Sequence, residues 1–180
     1  MEKVFEGNYG PMKLLLVFPK SKGGYWGKVR HGKAGLVALG LPTVAALTPS
    51  DWDVVIHDAR VTPVDYEQKV DLVGITGYTA EIPSTYEIAD QFRKRGVPVV
   101  LGGVHVSARP EEALKHADAV VIGEAEGVWK QLLTDFESGE LQTTYHSDRL
   151  CTMEKMKIPR RELLNREMYT TYYTLACCSG

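Results

Sequence analysis

The stretch VVLGGVHVSARPEEALKHADAVVIGEAEGVW, residues 99–129, decides the fold of this 180-residue chain. Two apolar runs, residues 97–101 and 119–122, show no polar alternation, and a short helix pattern opened by Pro110 lies between them. Strands that are apolar on both sides are covered by helices on both faces, as in parallel sheets. The stretch therefore predicts two parallel strands joined by a helical crossover, each followed by glycine.

The same alternation of strands and helices extends towards the N-terminus. Further apolar runs occupy residues 14–18, 54–56 and 72–75, and helix patterns occupy residues 41–47, 82–95, 110–114 and 128–136. Because crossovers between parallel strands are right-handed, this order predicts an α/β fold with a flavodoxin-like (Rossmann-like), doubly wound sheet. We expect five parallel strands in the order 2-1-3-4-5.

The ends of the chain do not follow this pattern. Residues 1–11 are predicted to be an N-terminal extension, and residues 140–180 an irregular C-terminal linker, because the periodic pattern is lost after Gly139. Within the linker, the β-prone run 169–175 has no evident partner strand in the chain. The three cysteines, Cys151, Cys177 and Cys178, form neither a disulfide framework nor a finger-type zinc pattern.

Composition and charge narrow the possible partners. Hydrophobic residues make up 44% and charged residues 24%, which are globular proportions. Lys and Arg total 21 against 23 Asp and Glu, a formal net charge of -2, so no nucleic-acid partner is expected. The sequence shows neither an apolar run approaching the ~20 residues needed to cross a bilayer nor a signal-peptide pattern, so we expect no membrane partner and a cytoplasmic location.

Ligands of doubly wound sheets bind beyond the carboxyl ends of the strands. The candidate cofactor-binding residues therefore follow the predicted strands: Asp58, Ala59, Arg60, Val61, Thr76, Gly77, Tyr78, Thr79, Gly102, Gly103, Val104, His105, Gly123, Glu124 and Glu126. Glycine at these edges lets a ligand approach the backbone closely, which favours a bulky or tailed cofactor over a small ion. Glycine is also common in the βα turns of any α/β fold, so the ordinary structural interpretation stays open.

Four segments of the chain, in this order, resemble the cobalamin-binding domain that precedes the catalytic barrel of cobalamin-dependent radical S-adenosylmethionine (radical SAM) enzymes. They are LGLPTVAALTP (39–49), VGITGYT (73–79), VVLGGVHVSARPEEAL (99–114) and DAVVIGEAEGVW (118–129). The resemblance covers residues 12–139 and implies that they form a domain binding cobalamin (vitamin B12). Residues 140–180 would then be the linker and first strand leading to a radical SAM barrel in cis that is absent from this chain.

The resemblance also implies how the cofactor is held. In that fold the corrin ring lies across the carboxyl edge of the sheet, and the nucleotide tail enters a slot beside the sheet. Thr76, Gly77, Gly102 and Gly103 match the slot walls, with the Thr76 hydroxyl facing the tail base and the two later glycines leaving room for ribose and phosphate. The basic loop 19–33 either covers the corrin, attracts the phosphate or is simply solvated.

The expected ligands of the cobalt ion follow from a motif that this chain lacks. Some cobalamin proteins carry D-x-H-x-x-G, whose histidine binds cobalt in place of the tail base, whereas Arg60 and Pro63 stand at the histidine and glycine positions here. A protonated guanidinium cannot bind cobalt, so we expect a displaced tail base and no protein ligand to the metal. His31, His57 and His105 are weaker candidates. The resemblance implies a methyltransferase using methylcobalamin.

The catalytic machinery of such an enzyme is not expected within this chain. In the radical SAM family, the motif C-x-x-x-C-x-x-C holds a [4Fe-4S] cluster, and S-adenosylmethionine occupies its fourth iron. Cys177 and Cys178 are adjacent and cannot provide that spacing, so the cluster, S-adenosylmethionine and catalytic residues would belong to the parent enzyme. The chain alone is expected to be inactive.

The residues disfavour three other classes of protein. A stand-alone corrinoid carrier is disfavoured by Arg60 and by the interrupted C-terminal segment. A receiver-type signalling domain needs acidic residues after the first strand and an aspartate after the central one, where this chain has Pro19-Lys20 and Thr76-Gly77. An FMN-binding flavodoxin needs a hydroxyl-rich phosphate loop after the first strand, where only Ser21 is present.

Overall fold

The computed structural model describes residues 10–22, 33–147, 152 and 156–171. In chain order, the strands are β1 (Lys13–Phe18), β2 (Ala34–Leu36), β3 (Asp53–Asp58), β4 (Leu72–Thr76), β5 (Val99–Gly102), β6 (Ala119–Ile122), β7 (Thr144–His146) and β8 (Tyr169–Thr171). The helices are α1 (Gly40–Leu47), α2 (Ile82–Lys94), α3 (Val104–Ala108), α4 (Pro110–Ala113) and α5 (Trp129–Glu137). None of these helices is long and apolar enough to cross a bilayer.

Six strands form one parallel sheet in the order β3-β1-β4-β5-β6-β7. Its first five positions confirm the predicted 2-1-3-4-5 topology of a doubly wound, flavodoxin-like sheet. The expected strand count was too low by one, because β7 lies inside the predicted irregular linker. Three residues are too few to give a periodic signal, but Tyr145 pairs with Val121 of β6, and its side chain is buried.

Helices cover both faces of the large sheet. Along β1, Leu14, Leu16 and Phe18 pack into a cluster with α1 and α5, whereas Leu15 and Val17 pack into a second cluster with α2, α3 and α4. All five side chains are buried, which explains why the strand shows no polar alternation. Helix α3 was not predicted, since its five residues include two β-branched valines and are too short for a helical stripe.

Within the part of the chain that the structure describes, β2 and β8 pair in parallel as a second, two-stranded sheet. The expectation that the run beginning at Tyr169 has no partner within the chain was therefore wrong for residues 169–171. Its partner, Ala34–Leu36, is a three-residue strand far away in the sequence, and such non-local pairing leaves no local signal. Leu164 and Tyr169 are buried against Ala34 and Val37, so this part of the predicted linker is packed onto the domain.

Candidate functional site

A cavity of about 310 Å³, here called the slot, lies between the large sheet and helices α1 and α5. The strands and their carboxyl ends contribute its floor: Leu16, Gly74, Ile75, Thr76, Val100, Gly102, Gly103 and Val121. The segments around the two helices and the end of β6 contribute its walls: Leu39, Gly40, Leu41, Thr43, Val44, Gly123, Ala125, Glu126, Trp129 and Met156. The slot is therefore at the carboxyl edge where the fold predicts a ligand.

The floor of the slot is bare where two paired strands lack side chains. A Cβ atom at Gly102 would find no atom nearer than the Cβ of Val121, at 3.7 Å, so the position is open to a ligand. Gly74 is in the middle of β4, and a Cβ there would lie 2.8 Å from Cδ2 of Leu16 and 3.6 Å from Cη2 of Trp129. The space over Gly74 is therefore taken by Leu16 and Trp129, whereas a flat group can lie against the backbone of β5 at Gly102.

Gly103 serves a different purpose from its neighbour Gly102. Its φ of +101° belongs to the region that side-chain-bearing residues rarely adopt. A Cβ at this position would also lie 2.7 Å from Oγ1 of Thr76 and 3.2 Å from the carbonyl oxygen of Gly77. The glycine pair after β5 therefore combines one position that supplies space with one that lets the chain turn tightly past Thr76.

The walls of the slot are mostly apolar and are held in place by hydrogen bonds behind them. Nε1 of Trp129 donates to Oγ1 of Thr48 at 2.9 Å, and the Thr48 hydroxyl donates to the Val44 carbonyl oxygen at 3.0 Å. The Thr43 hydroxyl donates to the Leu39 carbonyl oxygen at 2.9 Å. These bonds fix the Trp129 indole and the start of α1, so the walls present a rigid apolar surface suited to an aromatic ring.

The structure brings together only part of the predicted site. Thr76, Gly102, Gly103, Gly123 and Glu126 line the slot. Gly77 does not, because a Cβ there would point at Oγ1 of Thr85 (2.8 Å) and Cβ of Glu81 (3.4 Å), on the side of α2. The remaining predicted residues do not line the slot: Asp58, Ala59, Arg60, Val61, Tyr78, Thr79, Val104, His105 and Glu124.

Asp58 and Arg60 form a buried ion pair at the end of β3. The Asp58 carboxylate accepts bonds from Nη2 of Arg60 at 2.6 Å and from Nε of Arg60 at 2.9 Å. The guanidinium carbon lies 4.2 Å from the ring centre of Phe18, and the Tyr169 hydroxyl donates to the same carboxylate at 3.1 Å. Asp58 thus ties β3 to β8, while Arg60 is engaged by the same carboxylate and does not line the slot.

His105 points into a polar network beside α2 and α4. Its Nδ1 lies 3.2 Å from the Thr79 hydroxyl, and its buried Nε2, without a hydrogen-bond partner in the described chain, lies 3.6 Å from Oε1 of Glu112. Tyr86 donates to Glu112 at 3.1 Å. That bond is the main cause that lowers the pKa of Glu112, and His105 contributes less. Burial, followed by the bond to Glu112, raises the pKa of Tyr86 to about 12.

No group of three or more His, Cys, Asp or Glu side chains suited to a metal ion occurs among the described residues. His57 lies at the end of β3, with Nε2 3.0 Å from the Thr62 carbonyl oxygen. The other residues singled out for metal chemistry, His31, Cys151, Cys177 and Cys178, lie outside the described residues, as does most of the basic loop 19–33.

Sequence reasoning missed several lining residues for identifiable reasons. Gly74 carried a usable signal, because glycine inside an apolar strand marks a close approach of another group. Trp129 and Leu41 were identified as parts of helices, but nothing in a helical stripe distinguishes a residue facing a cavity from one facing the core. Met156 carried no signal at all, since it lies in the predicted linker.

Comparisons with known proteins identify the family to which the chain is related. Residues 30–133 match the family described as the B12 binding domain. Over 113 residues, the chain is 43% identical to the bacteriochlorophyllide d C-8(2)-methyltransferase of Chlorobaculum tepidum, covering 62% of this chain and 25% of the relative. Over 162 residues, it is 33% identical to the bacteriochlorophyllide d C-12(1)-methyltransferase of the same organism, covering 88% and 35%.

A third relative, an uncharacterized methyltransferase of Synechocystis, is 25% identical over 88% of this chain and 31% of its own length. The chain thus spans about a quarter to a third of the curated relatives it matches. The family match covers more than half of the chain and includes β2 to β6, α1 and most of α5. This chain belongs to the B12-binding domain family.

Proposed function

We propose that this chain is the cobalamin-binding module of a radical SAM methyltransferase. Residues 12–139 form the cofactor domain in this proposal, and residues 140–180 lead to the catalytic barrel, where the [4Fe-4S] cluster and S-adenosylmethionine bind. The resemblance of four ordered segments supports the parentage, and the names of the relatives support methyl transfer. The bare floor at Gly102, within a cavity at the carboxyl edge of the sheet, is the observation that carries the proposal.

The shape of the slot suits the nucleotide tail of cobalamin better than the corrin ring. Its volume of about 310 Å³ is at the lower end of the roughly 300–1,000 Å³ typical of small-molecule pockets. The Trp129 indole and the backbone beside Gly102 offer surfaces for the flat tail base and its sugar, and the Thr76 hydroxyl offers a hydrogen bond to a base nitrogen. Tyr78 and Val104 have exposed fractions of 61% and 68% at the same edge, where the corrin would lie.

The methyl-transfer chemistry is supplied by the cofactor, because bound cobalamin provides a cobalt that accepts and donates a methyl group. This chain's residues bind and orient it. A tail base held by Thr76 in the slot is unavailable to the cobalt. Arg60 is engaged by Asp58, Nε2 of His57 lies 3.0 Å from the Thr62 carbonyl oxygen, and the His105 ring lies between Thr79 and Glu112. These placements support binding with the tail base displaced and without a histidine ligand.

Cobalamin binding is tested with the whole chain and hydroxocobalamin. After gel filtration, the protein fraction should retain the visible spectrum of the cofactor. Gly102→Leu should abolish retention, because its side chain fills the slot without backbone strain. Gly10→Leu is the matched control: Gly10 is also open, with no atom within 4 Å of a Cβ, and lies at the opposite edge of the sheet. A colourless wild-type fraction, or full retention by a folded Gly102→Leu variant, contradicts the proposal.

The axial coordination has a separate test in the spectrum of the bound cofactor. We expect the spectrum of a corrinoid whose tail base is not coordinated, unchanged in His31→Ala, His57→Ala and His105→Ala. These three variants remove the histidines named above one at a time. A spectral shift in any one of them would identify a protein ligand and overturn the displaced, ligand-free arrangement while leaving cobalamin binding intact.

The radical SAM parentage is tested by the coding sequence downstream of Gly180. A C-x-x-x-C-x-x-C motif close behind residue 180, followed by a barrel-length domain, is the expected result. A coding sequence that ends near residue 180 would instead favour the stand-alone corrinoid carrier. Either result leaves the assignment of the slot to cobalamin unchanged, so the two parts of the proposal fail independently.

A further inference from the structure

Residues 156–171, here called the return segment, follow the last strand of the large sheet and come back to its carboxyl edge. We infer that the return segment is part of the cofactor site, with Met156 contacting the nucleotide tail in the slot. This inference rests on the proposed function, because it assumes that the slot holds that tail. It adds Met156, which lies outside the proposed cofactor domain of residues 12–139, to the cofactor site. It also couples cobalamin binding to the position of the return segment.

The first observation is the position of Met156, which lines the slot together with Gly102 and the start of α1. The residues just after it are attached to the same helix. The backbone N–H of Arg160 donates to the carbonyl oxygen of Pro42, at 2.9 Å, and Leu163 packs against the core cluster of the α1 face. Because Pro42 belongs to the helix that forms one wall, the bond holds Met156 next to that wall.

The second observation is the attachment at the other end of the return segment. Tyr169 is 7% exposed, and its hydroxyl donates to the buried carboxylate of Asp58, at 3.1 Å. Strand β8 pairs with β2, which leads directly into α1. The two attachments therefore join the return segment to α1 and to β2, the strand that precedes α1. The return segment is fixed to the domain at both ends.

A flexible, polarisable methionine side chain is well suited to closing an irregular gap over a ring system. If the tail base contacts Met156, binding of cobalamin stabilises the return segment in its packed position. Because such coupling is reciprocal, packing of the segment onto the domain also strengthens cobalamin binding. In the proposed enzyme, the return segment is also the connection towards the catalytic domain. Binding of cobalamin in the slot therefore also stabilises the segment that leads to the catalytic domain.

The inference is tested by the rate at which bound hydroxocobalamin leaves the whole chain. Met156→Ala should release it about tenfold faster than wild type, the factor that corresponds to loss of a modest apolar contact. Ile158→Ala is the matched control, because Ile158 is in the same segment but is 88% exposed and does not line the slot. We expect its release rate to equal that of wild type, with thermal stability similar in all three proteins.

A second readout is amide hydrogen exchange over residues 156–171. Hydroxocobalamin should slow exchange at Arg160 and in β8 in wild type and in Ile158→Ala, and should slow it less in Met156→Ala. Unchanged release by Met156→Ala, or unchanged exchange in a wild-type protein that holds the cofactor, overturns this inference and leaves the proposed function standing. A wild-type chain that retains no cobalamin overturns the proposed function and this inference with it.

Discussion

The two faces of the large sheet are built from the same strands, but one face is filled with side chains and the other contains the slot. On the α2 face, Val73 of β4 and Val99 and Leu101 of β5 are buried in a filled core. On the α1 face, the alternate positions Gly74 and Gly102 have no side chain and form the floor of the slot. Because side chains alternate between faces along a strand, one strand can fill a core on one side and leave a cavity on the other.

The comparison also shows how a cavity is tolerated in a close-packed fold. On the α1 face, two buried tryptophans donate hydrogen bonds that connect the helices. Nε1 of Trp129 donates to Thr48, and Nε1 of Trp52 donates to Oε1 of Glu137 at 2.7 Å. These bonds hold α1 and α5 in place where direct packing against the strands is missing.

The largest expected effect is on the filled face. Phe92→Ala should lower the free energy of unfolding by about 3–5 kcal/mol, because Phe92 is fully buried and its neighbours can collapse only partly. Val44→Ala, in the wall of the slot, should cost clearly less, since that side chain already borders a cavity. Urea unfolding measures both. Equal losses would show that the two faces are packed alike and would break the comparison.

A smaller effect should separate the two neighbouring glycines of the slot. Gly103→Ala should lower the free energy of unfolding by about 1–3 kcal/mol, because alanine disfavours a φ of +101° and its Cβ would crowd Thr76. Gly102→Ala should change stability by less than about 0.5 kcal/mol, since its Cβ meets ordinary contact distances. Thermal or urea unfolding of both variants checks the difference. The reverse order would mean that Gly103 supplies space and Gly102 the turn.

The smallest effect concerns the pH dependence of the α2 face. Burial, followed by the bond to Glu112, raises the pKa of Tyr86 from 10.0 to about 12. The folded protein therefore keeps a proton that the unfolded chain loses between pH 10 and 12, so this stabilisation is complete below pH 10 and is lost as the pH rises. Tyr86→Phe should make the fall of stability over this range less steep.

The control for this prediction is the other tyrosines whose pKa values are raised, Tyr66 and Tyr145. They leave part of the pH dependence in place, so the Tyr86→Phe curve should be shallower than wild type without becoming flat. Urea unfolding at several pH values from 9 to 12 measures the slope. Identical slopes for wild type and Tyr86→Phe would show that the Tyr86–Glu112 contact does not bias protonation in the folded state.

Sequence reasoning predicted the first five strands of the large sheet and their order, because short apolar runs without polar alternation are a strong local signature. Thr76, Gly102, Gly103, Gly123 and Glu126, which were expected at the carboxyl edge of the sheet, line the slot, and their contact with a cofactor stays a prediction. Strand β7 and the pairing of β2 with β8 were missed, since short strands are defined by distant partners rather than by their own composition. The placement of Gly77 on the α2 side also depended on a backbone direction that spacing alone does not give.

The sequence by itself determined the architecture and the edge at which a cofactor can bind, because apolar runs and the glycines after them act through local backbone preferences. Only the tertiary structure decided which glycine gives space, that Arg60 is bound to Asp58, and that Met156 belongs to the slot. These facts depend on contacts between residues far apart in the chain. Such contacts are settled by packing of the whole molecule and leave little trace in any single segment.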